Sequence, residues 1–102
     1  MHGKTPVSSG ITAVTDGTAE SRDFDEQTTT VLQRISELLQ AEQLGVEDVV
    51  STQVFLSTMD YFDRMNHHYA AHFRPPYPAR ASTANGLYPG VLIEIAFIAE
   101  LR

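Results

Sequence analysis

Val91 to Ala99 reads V-L-I-E-I-A-F-I-A, and no other stretch limits the fold so tightly. So continuous an apolar run, far short of the roughly 18–20 residues of a membrane span, is expected to be a strand covered on both faces of a sheet. Glu94 sits inside it. A carboxylate in such a run is costly unless it is paired, hydrogen-bonded or part of a site. Upstream, Arg74-Pro75-Pro76-Tyr77-Pro78 stops any helix, because proline lacks the N–H and clashes with the preceding turn. The Pro78-Ala79 step favours extended backbone, so Arg80 leaves a strand. Arg80 and Glu94 are therefore the candidates for chemistry. The plainer alternatives are an exposed arginine on a sheet edge and a glutamate at a strand's wet end.

The rest of the chain supplies the layers. Asp23 reads as an N-cap with Asp25 and Glu26 in the first turn, where the helix dipole favours acids. Val31, Leu32, Ile35, Leu38 and Leu39 then recur at helical spacing on one stripe, and Gly45 fits the stop. Ser8 to Val14 alternates weakly and reads as a strand ending at a turn over 15–18. Val49 to Leu56 is β-branched-rich and reads as a strand. Asp60 is expected to cap a second helix from Tyr61 to Phe73, with Phe62, Met65, Tyr69 and Phe73 as its apolar stripe. Two strands, Ala79–Leu87 and Val91–Leu101, follow about the turn Tyr88-Pro89-Gly90. The order β-α-β-α-β-β predicts one α+β domain over residues 1–102, a sandwich of two helices on one face of a mixed β-sheet.

If the last two strands form a hairpin, Arg80 faces position 99 and Glu94 faces position 85. The two side chains then lie on the order of 17 Å apart along the strands. One copy of the chain could not bring them to one small molecule, whereas two copies could. Asn66 falls on or beside the apolar stripe of the second helix, either as a satisfied structural group or facing a ligand. Ser9-Gly10 can present a backbone N–H at close range or simply begin a strand. His67, His68 and His72 have no acidic partner at a metalloprotease spacing and are expected to form a solvated polar face, so no metal is assigned.

Composition excludes several classes. The sequence has no cysteine, hence no disulfide and no thiolate chemistry. A net charge of −6 disfavours a nucleic-acid partner. No signal-peptide pattern or membrane span is present, and a cytoplasmic location is expected. There is no phosphate-cradling glycine loop, G-x-S-x-G or H-E-x-x-H.

Taken in order, Ser9-Gly10, Asp23 to Thr28, Asp48-Val49-Val50, Val54-Phe55-Leu56, Met59 to Phe62, Met65-Asn66, Tyr69, Pro78-Ala79-Arg80, Pro89, Ile93-Glu94-Ile95 and Ile98-Ala99 resemble the reactive-intermediate deaminase (Rid or YjgF-like) family. The resemblance covers the chain from about Ser8 onward. It implies a chorismate-mutase-like α+β fold, a homotrimer with clefts between subunits, and hydrolysis of 2-imino or enamine acids, such as 2-iminopropanoate, to 2-keto acids and ammonia without cofactor or metal. It implies further that Arg80 binds the substrate carboxylate and that Glu94 positions or activates water and assists proton transfer. Gly10 and Ser82 match cleft-lining positions, and Ser9 and Asn66 match supporting polar ones. The alternative is a non-catalytic module that binds a small carboxylate through Arg80.

Three departures from the family pattern carry expectations. The chain begins after the family's first strand and its Gly-Pro-Tyr-Ser segment, so that segment's tyrosine has no counterpart. The sheet edge so bared would need cover from the trimer or from residues 1–7. The turn at Pro89-Gly90 is one residue shorter, with Glu94 expected to keep its register. Asn85-Gly86 replaces an apolar stretch and loosens its strand.

Overall fold

In the computed structural model, residues 7–15, 18–19, 23–84 and 86–100 are described. The chain runs through β1 (Val7–Ile11), a small hairpin of β2 (Val14–Thr15) and β3 (Thr18–Ala19), then α1 (Phe24–Ala41). It continues through β4 (Val49–Leu56), α2 (Phe62–His72), β5 (Ala79–Ala84) and β6 (Ile93–Ala99).

Each boundary has a local cause. Asp23 caps α1 by accepting from the N–H of Glu26 at 3.1 Å, which satisfies a donor the helix leaves open. Gly45 does not stop this helix. Glu42 is its C-cap, the reversal falls on Gln43 at φ 63°, and Leu44 N–H bonds Leu39 O at 2.8 Å. Gly45 instead opens a short 3₁₀ turn over Val46–Asp48, donating its N–H to Asp48 Oδ2 at 2.9 Å. Asp60 is likewise not the cap before α2: the Thr58 hydroxyl accepts from Asp60 N–H at 3.2 Å and opens a 3₁₀ turn from which α2 begins.

The main sheet has the order β1-β6-β4-β5, so the expected hairpin of the last two strands does not exist. β5 pairs parallel to β4, with Thr52 opposite Arg80, after a crossover through α2. β6 inserts antiparallel between β4 and β1, with Phe55 opposite Glu94 and Gly10 opposite Ala96. The β4-α2-β5 unit explains the outcome, since parallel neighbours require a crossover of about this length. The apolar β6 takes a central position, and the small polar β5, A-R-A-S-T-A, takes an edge.

Both helices cover one face. Val31, Ile35 and Leu39 of α1 and Met65 and Tyr69 of α2 close over Val54, Leu56, Ile93, Ile95 and Phe97. β6 is therefore buried on that face alone. Glu94 and Ala96, on the other, are partly exposed, and Ile98 is 44% exposed, so the expectation of cover on both faces fails within one chain. The helices are tied together by Asp25, which accepts from Arg64 Nη2 at 2.7 Å and pairs with His68 Nε2 at 2.9 Å. His72 Nε2 lies 3.0 Å from Ser36 Oγ. His68 and His72 are thus partners of α1, and only His67 belongs to an exposed face. Among the described residues no group of three metal-ligating side chains gathers, and no helix is long and apolar enough to cross a membrane. Residues 1–6 and Asn85, on which the expected edge cover and strand loosening partly fell, lie outside the described residues.

Candidate functional site

Arg80 is aimed by its strand. Cross-strand partners point to the same side of a sheet, and buried Thr52, opposite Arg80, faces the helices. The guanidinium carbon stands 4.7 Å from the Tyr69 ring centroid and 5.8 Å from that of Phe62, and Nη1 is 3.7 Å from Met65 Sδ. Two aromatic faces hold the cation by its π-attraction without consuming the N–H fork. No carboxylate pairs with Arg80 among the described residues. Tyr69 is itself fixed by Thr52 Oγ1 at 2.7 Å from its hydroxyl. Burial pushes the Tyr69 phenol up, opposed by the Thr52 hydrogen bond and by the charge of Arg80.

A recess of about 440 Å³ opens over the guanidinium, lined by Asn66, Tyr69, Ala70, Tyr77, Pro78 and Arg80. The Asn66 Oδ1 and Ser82 Oγ atoms are buried without a hydrogen-bond partner among the described residues. A buried polar group left unmade costs about 1–3 kcal/mol. Asn66 lines the recess, and Ser82 follows Arg80 by two residues on the same side of β5. Among the described residues the one side-chain acceptor of the guanidinium is the weakly accepting Met65 Sδ, which leaves N–H donors for a planar anion such as a carboxylate.

Glu94 faces the other way. Its partner Phe55 is an odd number of residues from Thr52, so Glu94 and Arg80 project from opposite faces of the sheet. Their backbones are offset by about 10 Å along β4 and about 10 Å across it. The expectation that one copy cannot join them survives, with opposite faces rather than a hairpin as the reason. Beside Glu94 the chain is bare: a β-carbon built on Gly10 would lie 3.2 Å from Glu94 Oε2. Ser9 and Gly10 also line a shallow groove of about 490 Å³ with Ser51, Gln53, Ala81 and Ala96 on this open face. A second recess of about 310 Å³ joins Glu94 to Thr12, Val14, Tyr88 and Val91.

The register of Glu94 is set from the core. Gln27 is 1% exposed; its Nε2 donates to Gly90 O at 2.8 Å, and its Oε1 accepts from Leu92 N–H at 2.9 Å. This clasp holds the turn immediately before β6.

The structure thus brings Arg80, Asn66 and Ser82 to the helix side of the sheet and Glu94 and Gly10 to the open side, while Ser9, opposite Phe97, stands on the helix-covered face and only borders the groove. Sequence reasoning missed the site roles of Gln27, Tyr77 and Tyr88. Gln27 alone left a signal: it precedes Val31 by four and Ile35 by eight, on the buried stripe, where an amide needs partners.

Two helices on one face of a mixed four-stranded sheet form the architecture of the YjgF and Rid proteins. The superposition on RidA from the Antarctic bacterium Psychrobacter gives a TM-score of 0.85 at 27% identity, covering 99% of this chain and 83% of that one. The chain belongs to this family, whose model, described as Endoribonuclease L-PSP, matches residues 1–101. It is similar to a RutC family protein of Pyrococcus horikoshii, 38% identical over 78 residues, which are 76% of this chain and 62% of that protein. It is also 34% identical over 82 residues to Reactive Intermediate Deaminase A, chloroplastic, of Arabidopsis thaliana, over 79% of this chain and 44% of that one. The matched stretch thus spans less than two thirds of either of these two relatives.

Proposed function

We propose that this protein hydrolyses reactive 2-imino and enamine acids, 2-iminopropanoate among them, to 2-keto acids and ammonia. The single observation that carries the reading is the Arg80 fork, held over two aromatic rings and, among the described residues, without a carboxylate partner. The relative named as a reactive intermediate deaminase supports the same chemistry. Arg80 binds the substrate carboxylate through two parallel N–H bonds, with Asn66 and Ser82 supplying polar contacts beside it. Glu94 takes a proton from water as the water oxygen bonds to C2 of the imine, and the nitrogen gains a proton. The hydroxyl proton of the resulting tetrahedral centre passes by way of Glu94 to the nitrogen, the C–N bond breaks as the C=O forms, and ammonia leaves with the 2-keto acid.

Because Arg80 and Glu94 project from opposite faces, the site is assembled from two copies, the guanidinium of one meeting the carboxylate of the next. A homotrimer closes three such clefts. The open sheet face bearing Glu94, Ala96 and Ile98 supports this arrangement, since apolar surface there gains from cover. No metal or cofactor enters the steps, and the protein works in the cytoplasm.

A second reading is a non-catalytic carboxylate-binding module. It is favoured by one observation: the Arg80 recess is complete within a single chain, whereas the Glu94 side is remote from it. Hydrolysis of freshly generated 2-iminopropanoate, with Arg80→Ala and Glu94→Ala beside it and mass from light scattering, separates the two. Turnover by a trimer, lost in both variants, is the expected result. A folded trimer that binds pyruvate through Arg80 without turning over any imine would replace the enzyme by the binding module.

A further inference from the structure

Tyr88 is the most exposed of the large apolar residues among those described, at 63%. An exposed ring on a surface turn ordinarily moves with its turn, but this turn is pinned. Val91 N–H donates to Tyr88 O at 2.9 Å, closing Tyr88 to Val91 on itself, and Gly90 takes φ 86° within it. Gln27, from the core, grips Gly90 O and Leu92 N–H on the far side. A turn held at four backbone atoms fixes the point from which the Tyr88 ring is presented.

What it faces is the second recess. Tyr88, Val14 and Val91 give that space apolar walls, and Thr12 and Glu94 are its polar lining. Its volume of about 310 Å³ is about ten times a water's share of liquid volume. A methyl group leaves most of that room empty, and ordered water against three apolar walls would have few partners there. A branched aliphatic or aromatic group fills it and exchanges water for the ring of Tyr88.

We propose that Tyr88 is a specificity-determining residue: the recess it forms beside Glu94 receives the substrate's side chain and selects 2-imino acids with branched-aliphatic or aromatic side chains over 2-iminopropanoate. The inference rests on the deaminase reading for its chemistry and adds the class of substrate. The reacting C2 lies at Glu94, so the side chain that C2 carries, beginning at C3, extends along the recess toward Tyr88 while the carboxylate points to the arginine of the adjoining copy.

The test compares kcat/KM for 2-imino-4-methylpentanoate and 2-iminopropanoate, each generated in the assay from its amino acid by an oxidase. The wild-type ratio is expected to favour the larger substrate by about tenfold or more, the scale on which apolar pockets discriminate. Tyr88→Phe keeps that ratio, because the ring and not the hydroxyl makes the wall, and Tyr88→Ala brings it close to unity. Binding of the stable keto acids 4-methyl-2-oxopentanoate and pyruvate is followed in parallel by nuclear magnetic resonance of the tyrosine rings. Equal turnover of both imino acids, unmoved by Tyr88→Ala, would overturn the proposal and leave the deaminase standing. No turnover of any imino acid, with 4-methyl-2-oxopentanoate still preferred in a Tyr88-dependent way, would overturn the deaminase reading and uphold the recess as a side-chain subsite. No turnover of any imino acid, with no preference between the two keto acids, defeats both.

Discussion

Gly10 and Glu94 occupy one space between them: a β-carbon on the glycine would stand 3.2 Å from the carboxylate oxygen Oε2. Two strands, paired antiparallel, bring them together from the first and last segments of the sheet. Gly10→Ala must therefore shift the carboxylate by a few tenths of an ångström. Small misplacements of a reacting group cost rate steeply, so kcat is expected to fall up to about tenfold with KM nearly constant. Steady-state kinetics beside a thermal melt check this. A fall in melting temperature with kcat intact would assign the glycine to packing instead.

Arg80→Lys keeps the charge and loses the planar fork. A hydrogen bond to a charged partner contributes about 1.5–3 kcal/mol, so KM for the imino acid is expected to rise about 10- to 100-fold. Glu94→Gln keeps the shape and loses the base, lowering kcat by about 100-fold or more. If the site joins two copies, assembling Arg80→Ala with Glu94→Ala protomers restores turnover that neither variant has alone. Persistent inactivity of a well-formed mixed oligomer would argue against shared clefts.

Gln27→Leu fills a similar volume without the amide. It strands Gly90 O and Leu92 N–H in a part-buried setting, at a cost of about 1–3 kcal/mol in stability. For a domain of this length each kilocalorie lowers the melting temperature by about 4–8 °C. Calorimetry reads that loss. Activity should fall further than stability, because the released turn leads directly into Glu94.

The seam between α1 and α2 predicts two pH windows. Burial holds the His72 imidazole below its ordinary value of 6.5. The unfolded chain then binds that proton more readily than the folded one, so stability falls as pH drops below 6.5 and levels off at the folded value. His72→Gln is expected to flatten that slope in urea midpoints taken between pH 7.5 and 5. Asp25 behaves oppositely in origin. Hydrogen bonds from Arg64 and then His68 hold its carboxyl below 3.8, so its contribution is present above 3.8 and is lost as pH falls through the folded value. Asp25→Asn should lower stability above 3.8 and flatten this acid limb.

Much of this was legible from residue patterns. The β-branched run Val49–Leu56 gave a strand with the bounds observed, and Asp23 with its following acids gave the start of α1. Arg80 and Glu94 stood out because each broke the character of its surroundings. The strand order was not legible in the same way, because Pro89-Gly90 carries turn chemistry whether or not the flanking strands pair. The discriminating signal lay in composition: an aliphatic β6 suits the middle of a sheet, and A-R-A-S-T-A suits its rim. Helix ends were misassigned where a residue with a modest propensity for its role, Gln43 or Thr58, took it from a neighbouring glycine or aspartate. The roles of Tyr77 and Tyr88 left no periodic trace, since both lie outside helices and strands.

The insertion of β6 between β1 and β4 also divides the sheet's contacts by their separation along the chain. The β4-α2-β5 unit closes over a short span of chain, a cheap loop by entropy, and it already carries Arg80, Asn66 and Ser82. The β1–β6 pairing joins the most distant strands in the sequence and is the slow kind of contact to form. The side bearing Arg80 is thus closed by contacts near in sequence, and the side bearing Glu94 by contacts that span most of the chain. On the reading proposed above, the anion contacts rest on the local unit and the general base on the distant one.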